Sequence, residues 1–243
     1  MDDNFASIVA AVEEGRAVFE NIRKFLTYIL TSNIPEIVPY LAFVILRIPL
    51  PLTIIQILAV DLGTDMLPAL ALGVERPHPE LMRRPPRRRG ERLISPSLLF
   101  RSYLFLGLME AGAAMAAYFY VLQIGGWSYG DNLASNDPLY LQSTTACLSA
   151  IIVMQAVNVF LCRDDHRSVA AGGLFTNPMI LWGVAAEIGL ILLIDYTPWG
   201  HRLFGTTPIP LSVWLFVFPF AVSMLILEEL RKWLVRSRRA AKP

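Results

Sequence analysis

Five acidic side chains stand inside long apolar runs of this sequence: Glu36, Asp61, Asp65, Glu110 and Glu187. No Lys or Arg lies deep in the same runs to pair with them. A carboxylate at bilayer depth costs about 2.5–3.5 kcal/mol on insertion scales, so such residues face a protein interior and mark ion pathways or proton relays. Without an internal base, the acids are either held neutral by protons, since burial disfavours the charged form, or neutralised by cations bound among them. Spacing favours cations for part of the set. Ser32, Asn33 and Glu36 stand at i, i+1 and i+4 and project from one side of a helix; Asp61 and Asp65 stand at i and i+4 on the next. Pro35 and Pro39 flank Glu36, while Gly63 and Thr64 separate the two aspartates and Pro68 follows them. Proline breaks the backbone ladder and frees carbonyls. Irregular backbone is tolerated at membrane depth where it lines a cavity, and unwound carbonyls coordinate ions in transporters. Carboxylates, an amide oxygen, hydroxyls and carbonyls make an all-oxygen donor set, suited to hard cations and not to copper or zinc.

The remaining polar candidates stand alone on their runs. Glu110 and Glu187 serve either as ion or proton ligands or as hydrogen-bonding groups between helices. Asn158 is either an amide ligand or a bond between helices. Cys147 and Cys162 read as buried apolar thiols. His78, His166 and His201 fall in separate loops, which indicates no histidine metal site.

These residues need a scaffold, and the composition says which. The chain has 243 residues, 55% of them hydrophobic and 17% charged, a mean hydropathy of +0.50 and a net charge of +1. A soluble domain is nearer a quarter charged. Disorder, a secreted disulfide scaffold and a water-soluble enzyme are excluded, and the charge balance points to no nucleic-acid partner. Crossing a bilayer takes about 20 mostly apolar residues. Six stretches qualify, at residues 25–46, 52–74, 98–122, 141–161, 179–194 and 211–227. The expected fold is an all-α polytopic membrane protein with six transmembrane helices in the lipid bilayer. Of its 21 Lys and Arg residues, only Arg47 and Arg202 fall on one side of the alternating spans. Basic residues collect in cytoplasmic loops, so both termini are expected to be cytoplasmic.

The segment before the first span repeats Phe5, Ile8, Val9, Val12, Val18, Phe19 and Ile22 at roughly helical spacing, with Asp3 or Asn4 as a cap. It reads as a cytosolic stalk helix continuous with the first span, or as a helix lying on the membrane surface. The domain reading is therefore a stalk over 1–24, a six-helix membrane domain over 25–230 and a basic cytoplasmic tail over 231–243. The loop from Glu75 to Pro96 holds Pro77, Pro79, Pro85, Pro86 and Pro96 among seven arginines. Its prolines exclude a long helix. Its charge anchors the topology or docks another cytosolic domain.

Leu30-Thr31-Ser32-Asn33-Ile34-Pro35-Glu36, followed by Asp61-Leu62-Gly63-Thr64-Asp65-Met66-Leu67-Pro68-Ala69, resembles the fifth and sixth transmembrane helices of P2-type cation-transporting ATPases. Asp2 to Val9 with Glu13-Glu14-Gly15-Arg16 is similar to the last segment of that family's phosphorylation domain. Met82-Arg83-Arg84-Pro85-Pro86-Arg87 is similar to the loop after helix six, and Glu229-Leu230-Arg231-Lys232 to the end of helix ten. The six spans then correspond to helices five to ten. The resemblance implies that Ser32, Asn33, Glu36, Asp61 and Asp65 fall on ion-coordinating positions, with Thr64 beside one. Asn158 falls where the sodium/potassium and calcium pumps carry an acid. Glu187 matches a helix-nine glutamate near the third sodium site of the sodium/potassium pump. Ser32 and Asp61 resemble the sodium/potassium type.

The resemblance implies transported Na+, K+ or Ca2+ as cargo, a plasma-membrane location, and a partner in the N-terminal pump half, helices one to four with the cytosolic domains. The sequence has no Asp-Lys-Thr-Gly-Thr phosphorylation motif, no Thr-Gly-Glu actuator loop and no helix-four Pro-Glu-Gly. ATP and Mg2+ belong to a complete pump, and this chain is expected to have no catalytic residues, no cofactor of its own and no ATPase activity alone. The alternatives are a non-enzymatic membrane protein, leaking cations or regulating a complete pump, and one half of a split pump.

Overall fold

A computed structural model describes residues 5–77, 81–83, 85, 90, 92–173 and 175–240. Within them six helices are long and apolar enough to cross a membrane: Phe5–Leu46, Ile54–Gly73, Pro96–Ile124, Pro138–Cys162, Pro178–Tyr196 and Leu211–Arg238. The first to sixth spans below are these helices. Short helices cover Val169–Gly172 and Pro198–Phe204. Four helices begin at a proline whose missing N–H would be unpaired there in any case. The residue before each proline caps the helix. Ser95 accepts from Leu98, Asp137 from Leu139, Asn177 from Met179 and Thr197 from Gly200, at 2.8–3.2 Å.

The burial pattern of the first span is inverted relative to a soluble helix. Its buried residues include Tyr28, Thr31, Ser32, Pro35, Glu36 and Pro39, while Ile37, Leu41, Val44 and Ile45 are at least half exposed. Lipid solvates the apolar side chains, so the polar ones must find protein. The fourth span is the hub: 78% of its apolar window is buried, against 28% for the first and sixth. It packs against every other span, and the first and second spans are neighbours. The stalk runs into the first span as one helix through Gly15, Pro35 and Pro39. The expected unwinding around Glu36 is therefore absent. Each proline only removes one donor, which leaves the carbonyls of Thr31 and Pro35 without their i+4 partners.

The irregular backbone lies in the second and third spans. Ala59–Thr64 and Phe100–Gly107 are π-helical. In the second span Asp65 N donates to Val60 O at 2.9 Å, five residues back, and Pro68 stands three residues on, where it can donate nothing. A π-turn inserts a residue and rotates the helix beyond it, which is how such turns re-aim side chains at functional sites. Two glycines allow the fifth span to approach this segment. A Cβ at Gly63 would lie 2.8 Å from Leu190 Cδ2, and one at Gly183 would lie 3.1 Å from Pro68 N.

One end of the bundle is tied by ions. Arg101, at the start of the third span, donates from Nε and Nη2 to Glu228 Oε1 at 3.0 and 2.7 Å, and from Nη2 to Leu161 O at 2.9 Å. Its Nη1 pairs with Asp165, which also meets Arg23 at 3.6 Å. Arg231 donates to both oxygens of Glu228, and the fully buried Lys232 donates to Leu161 O at 3.2 Å. The sixth helix continues to Ala240, so residues 231–240 of the basic tail are helical. A second cluster holds the stalk. Glu75 takes Lys24 at 2.9 Å and Arg163 at 2.7 Å, and its main-chain O accepts from Asn21 at 2.6 Å. Asp164 accepts from the N–H groups of His166 and Arg167, both at 2.8 Å. Burial works against its charge, but these bonds hold its carboxyl below the usual aspartate value. The stalk, the 2–3 and 4–5 connections and the sixth-span terminus thus meet at one end. His78, Arg84, Arg87, Arg88, Arg89 and the caps Asp3 and Asn4 lie outside the described residues.

At the other end hydroxyls hold the connections. Tyr118 donates to Pro49 O and Tyr129 to Leu46 O, each at 2.7 Å. They secure the turn in which Arg47 takes a φ of 51°.

Candidate functional site

Asp65 is the centre of the acidic cluster. It is 1% exposed. The π-turn before it and the first-span stripe spaced Tyr28, Ser32, Glu36 bring three elements around it. Tyr28 Oη lies 3.4 Å from Oδ1, and Gln155 Nε2, from the fourth span, lies 3.4 Å from Oδ2. Both bonds are longer than the usual 2.7–3.2 Å, so the carboxylate is touched but weakly held. Ser32 lies beside it and donates to Ile29 O at 3.0 Å.

Glu36 lies against Asp61 and near Asp65, and its Oε1 is buried without a hydrogen-bond partner. Asp61 is exposed on the outside of the bundle, beside Leu62 at 70% exposure. Glu110 is fully buried next to Asn158, within electrostatic reach of Asp65 and Glu36. Neither of its oxygens has a partner, nor does Asn158 Nδ2. Asn158 Oδ1 accepts only from Cys162 Sγ at 3.3 Å. Glu187 faces the same interior near Asp65 and Glu110, with both oxygens unpartnered. Ser32, Glu36, Asp61, Asp65, Glu110, Asn158 and Glu187 therefore share one neighbourhood.

Two further candidates, like Ser32, donate to their own helices. Asn33 is half-buried and donates from Nδ2 to Ile29 O at 2.9 Å, which leaves its amide oxygen free to accept. Thr64 is buried and donates to Val60 O at 3.0 Å. The carboxylates are also spread out: among the described residues no three His, Cys, Asp or Glu side chains could hold one metal ion. A cation here would need amide, hydroxyl and carbonyl oxygens along with the acids, or further groups at the open side where Asp61 is exposed.

The physical consequence is a charge separation. Among the described residues the buried bases Arg101 and Lys232 are engaged at one end of the bundle. Mid-depth holds carboxyl groups with hydroxyls and amides and no base. Such an interior attracts protons or cations and repels anions.

Residues 49–234 match the profile of the family described as cation transporting ATPase, C-terminus. The chain belongs to that family. It is 34% identical to the rat sodium/potassium-transporting ATPase subunit alpha-4 over 98% of its length, and 34% identical to the Drosophila melanogaster alpha subunit over 97%. It is 33% identical over 97% to the alpha-1 subunit of Anguilla anguilla. The chain covers 25–26% of these relatives' lengths. It corresponds to the C-terminal membrane region of P2-type cation-transporting ATPases, as a multi-pass integral membrane chain with six helices long and apolar enough to cross a bilayer.

For this family member the acidic positions are visible in the sequence, but several neighbours are not. Tyr28 and Gln155 touch Asp65 and escape sequence reasoning as site residues. Tyr28 carries a signal, since it precedes Ser32 and Glu36 by the same four-residue step. Gln155 has none beyond being an amide in an apolar run. Asp195, buried and bonded to Ser149, lies one residue past the predicted fifth span, where an acid passes for the edge of a helix.

Proposed function

We propose that this chain forms part of the cation pathway of an ATP-driven pump, with Ser32, Asn33, Glu36, Asp61, Thr64, Asp65, Asn158 and Glu187 as its ligand set and Glu110 as an added acid. The cargo is Na+, K+ or Ca2+, with sodium/potassium-like chemistry favoured by the relatives' names. The observation that carries this reading is the set of buried carboxylates, Glu36, Asp65, Glu110 and Glu187, which have unpartnered or weakly held oxygens and no base beside them. Burial of that much acidity is unfavourable unless a positive charge joins it. Asp61 is exposed beside Glu36 on an otherwise apolar flank. That is where helices of an N-terminal pump half, carrying the remaining ligands, would pack. ATP and Mg2+ would be handled by that half. The ion-tied end is the cytosolic one under the positive-inside rule, and the membrane is the plasma membrane.

The test is a chimera in which this chain replaces the corresponding region of a sodium/potassium pump alpha subunit. Membrane vesicles holding it should show cation-stimulated ATP hydrolysis, while the purified 243-residue chain should form no phosphoenzyme. A chimera that is phosphorylated by ATP but turns over independently of Na+, K+ and Ca2+ would overturn the proposal.

A further inference from the structure

Asp195 takes no part in the cluster around Asp65. It lies on the same buried face of the fifth span as Glu187, eight residues further on, and so about 12 Å along the axis at ~1.5 Å per residue. It is fully buried near the end of the bundle opposite the ion pairs. Its Oδ2 lies 2.6 Å from Ser149 Oγ on the fourth span, and its Oδ1 has no hydrogen-bond partner.

Hydrogen counting decides its state. Ser149 Oγ lies 2.8 Å from Thr145 O as well as 2.6 Å from Asp195. A hydroxyl has one hydrogen, and a main-chain carbonyl can only accept. Both contacts are full hydrogen bonds only when Asp195 Oδ2 carries a proton and donates to Ser149 Oγ, which then donates to Thr145 O. The charged alternative places a carboxylate in a buried site with one oxygen unpartnered and no cation beside it, which is costly.

The surrounding elements supply no counter-charge. On the short helix after the fifth span, His201 Nε2 meets the main-chain O of Asp195 at 2.8 Å, not its carboxyl, and Arg202 is exposed. Thr206 donates to Ile194 O, and Thr207 N donates to Thr145 Oγ1. From the second span, Gln56 reaches Thr144 and Phe204 O. Arg47, the other base at this end, is exposed. Among the described residues none forms an ion pair with Asp195.

We propose that Asp195 and Ser149 form a proton-binding site, separate from the cation cluster, that bonds the fifth span to the fourth when the proton is present. The step is simple: a proton from water adds to the Asp195 carboxylate, and no other bond is made or broken. Loss of the proton returns one hydrogen to be shared between two acceptors and leaves a charge between the spans, so the contact weakens. The ligand is the proton, reaching the site from the end of the bundle that carries His201.

Infrared spectroscopy of the full chain in phosphatidylcholine vesicles tests this, with protons as the only probe. Near neutral pH the difference between wild type and D195N should show the C=O band of one protonated carboxylic acid, over any bands of the acids around Asp65, which both proteins share. The same band should shift in S149A, which removes the acceptor, should survive in H201Q, and should fade as the pH is raised. If D195N does not fold, the S149A shift carries the test, because that variant keeps the acid. A wild-type spectrum indistinguishable from that of folded D195N, or a band unmoved by S149A, would overturn the proposal.

Discussion

Neutralising Asp65 should separate ion binding from stability. In D65N the amide oxygen can still accept from Tyr28, and the new NH2 group faces Gln155. Gln155 Oε1 is itself buried without a partner. Rotating the Gln155 amide lets that oxygen accept from the new NH2 group, so no clash of two donors remains. The bonds at risk are both 3.4 Å long, and weak for that reason. The fold should therefore tolerate the change. Its thermal midpoint in detergent should be unchanged or higher, because a buried charge has been removed. Cation affinity should fall. Two unit charges about 4 Å apart attract by about 4 kcal/mol at an effective dielectric of 20, which sets an upper limit near a thousandfold. A ligand that contributes even about 1.4 kcal/mol sets a lower limit of tenfold. The assay is a titration of Na+, K+ and Ca2+ against ATP hydrolysis in the chimeric pump, beside a melting curve for the isolated variant chain. An unchanged cation titration in D65N, with the protein folded, would refute the reasoning that Asp65 is a ligand.

Three further outcomes are expected. Removing Arg101 strands Glu228 with Arg231 as its remaining ion-pair partner, so R101M should lose about 3 kcal/mol, at the low end of the 3–5 kcal/mol for breaking a buried pair; the double variant R101M/E228L should recover much of it in a denaturant-unfolding cycle. At Gly183 the atoms that an added Cβ would meet are backbone atoms of Leu67 and Pro68, which cannot swing aside. G183A gains about 1 kcal/mol of helix propensity against that crowding and should be near neutral, whereas G183L should cost about 2–3 kcal/mol by melting midpoint. Asp164 is held below the ordinary aspartate value by two N–H donors. Its contribution is present above the unfolded value of about 3.9 and is lost as the pH falls through the lower folded value. Hydrogen exchange at His166 and Arg167 should show protection worth about 1 kcal/mol that weakens on acidification in the wild type and is missing at all pH values in D164A, which has no acceptor.

Much of this molecule is legible in the residue order. Lipid imposes a length and an apolarity on each crossing, so the six spans can be located from composition alone. The intramembrane acids are conspicuous for the same reason, because nothing but function or pairing justifies them there. The motifs around Glu36 and Asp65 carry the family resemblance as well. Other features leave a partial mark or none in the residue order. Gly63 and Pro68 mark the second span as a place for irregular backbone, but not that it takes the form of a π-turn at Ala59–Thr64, and Pro35 and Pro39 suggest the same for the first span, where the helix runs through them unbroken. Arg101 and Glu228 are 127 positions apart, and no periodicity connects them.

The sequence alone determined the solvent of this protein, the number of its crossings and the kind of atom, carboxylate oxygen, that it places among them, because these follow from side-chain polarity counted along the chain. Only the tertiary structure decided which of those oxygens meet. It set Asp65 between Tyr28 and Gln155, left Glu110 and Glu187 unpartnered, and enclosed Asp195 against Ser149, because the partner of a buried polar group is whatever the neighbouring helix presents at that depth.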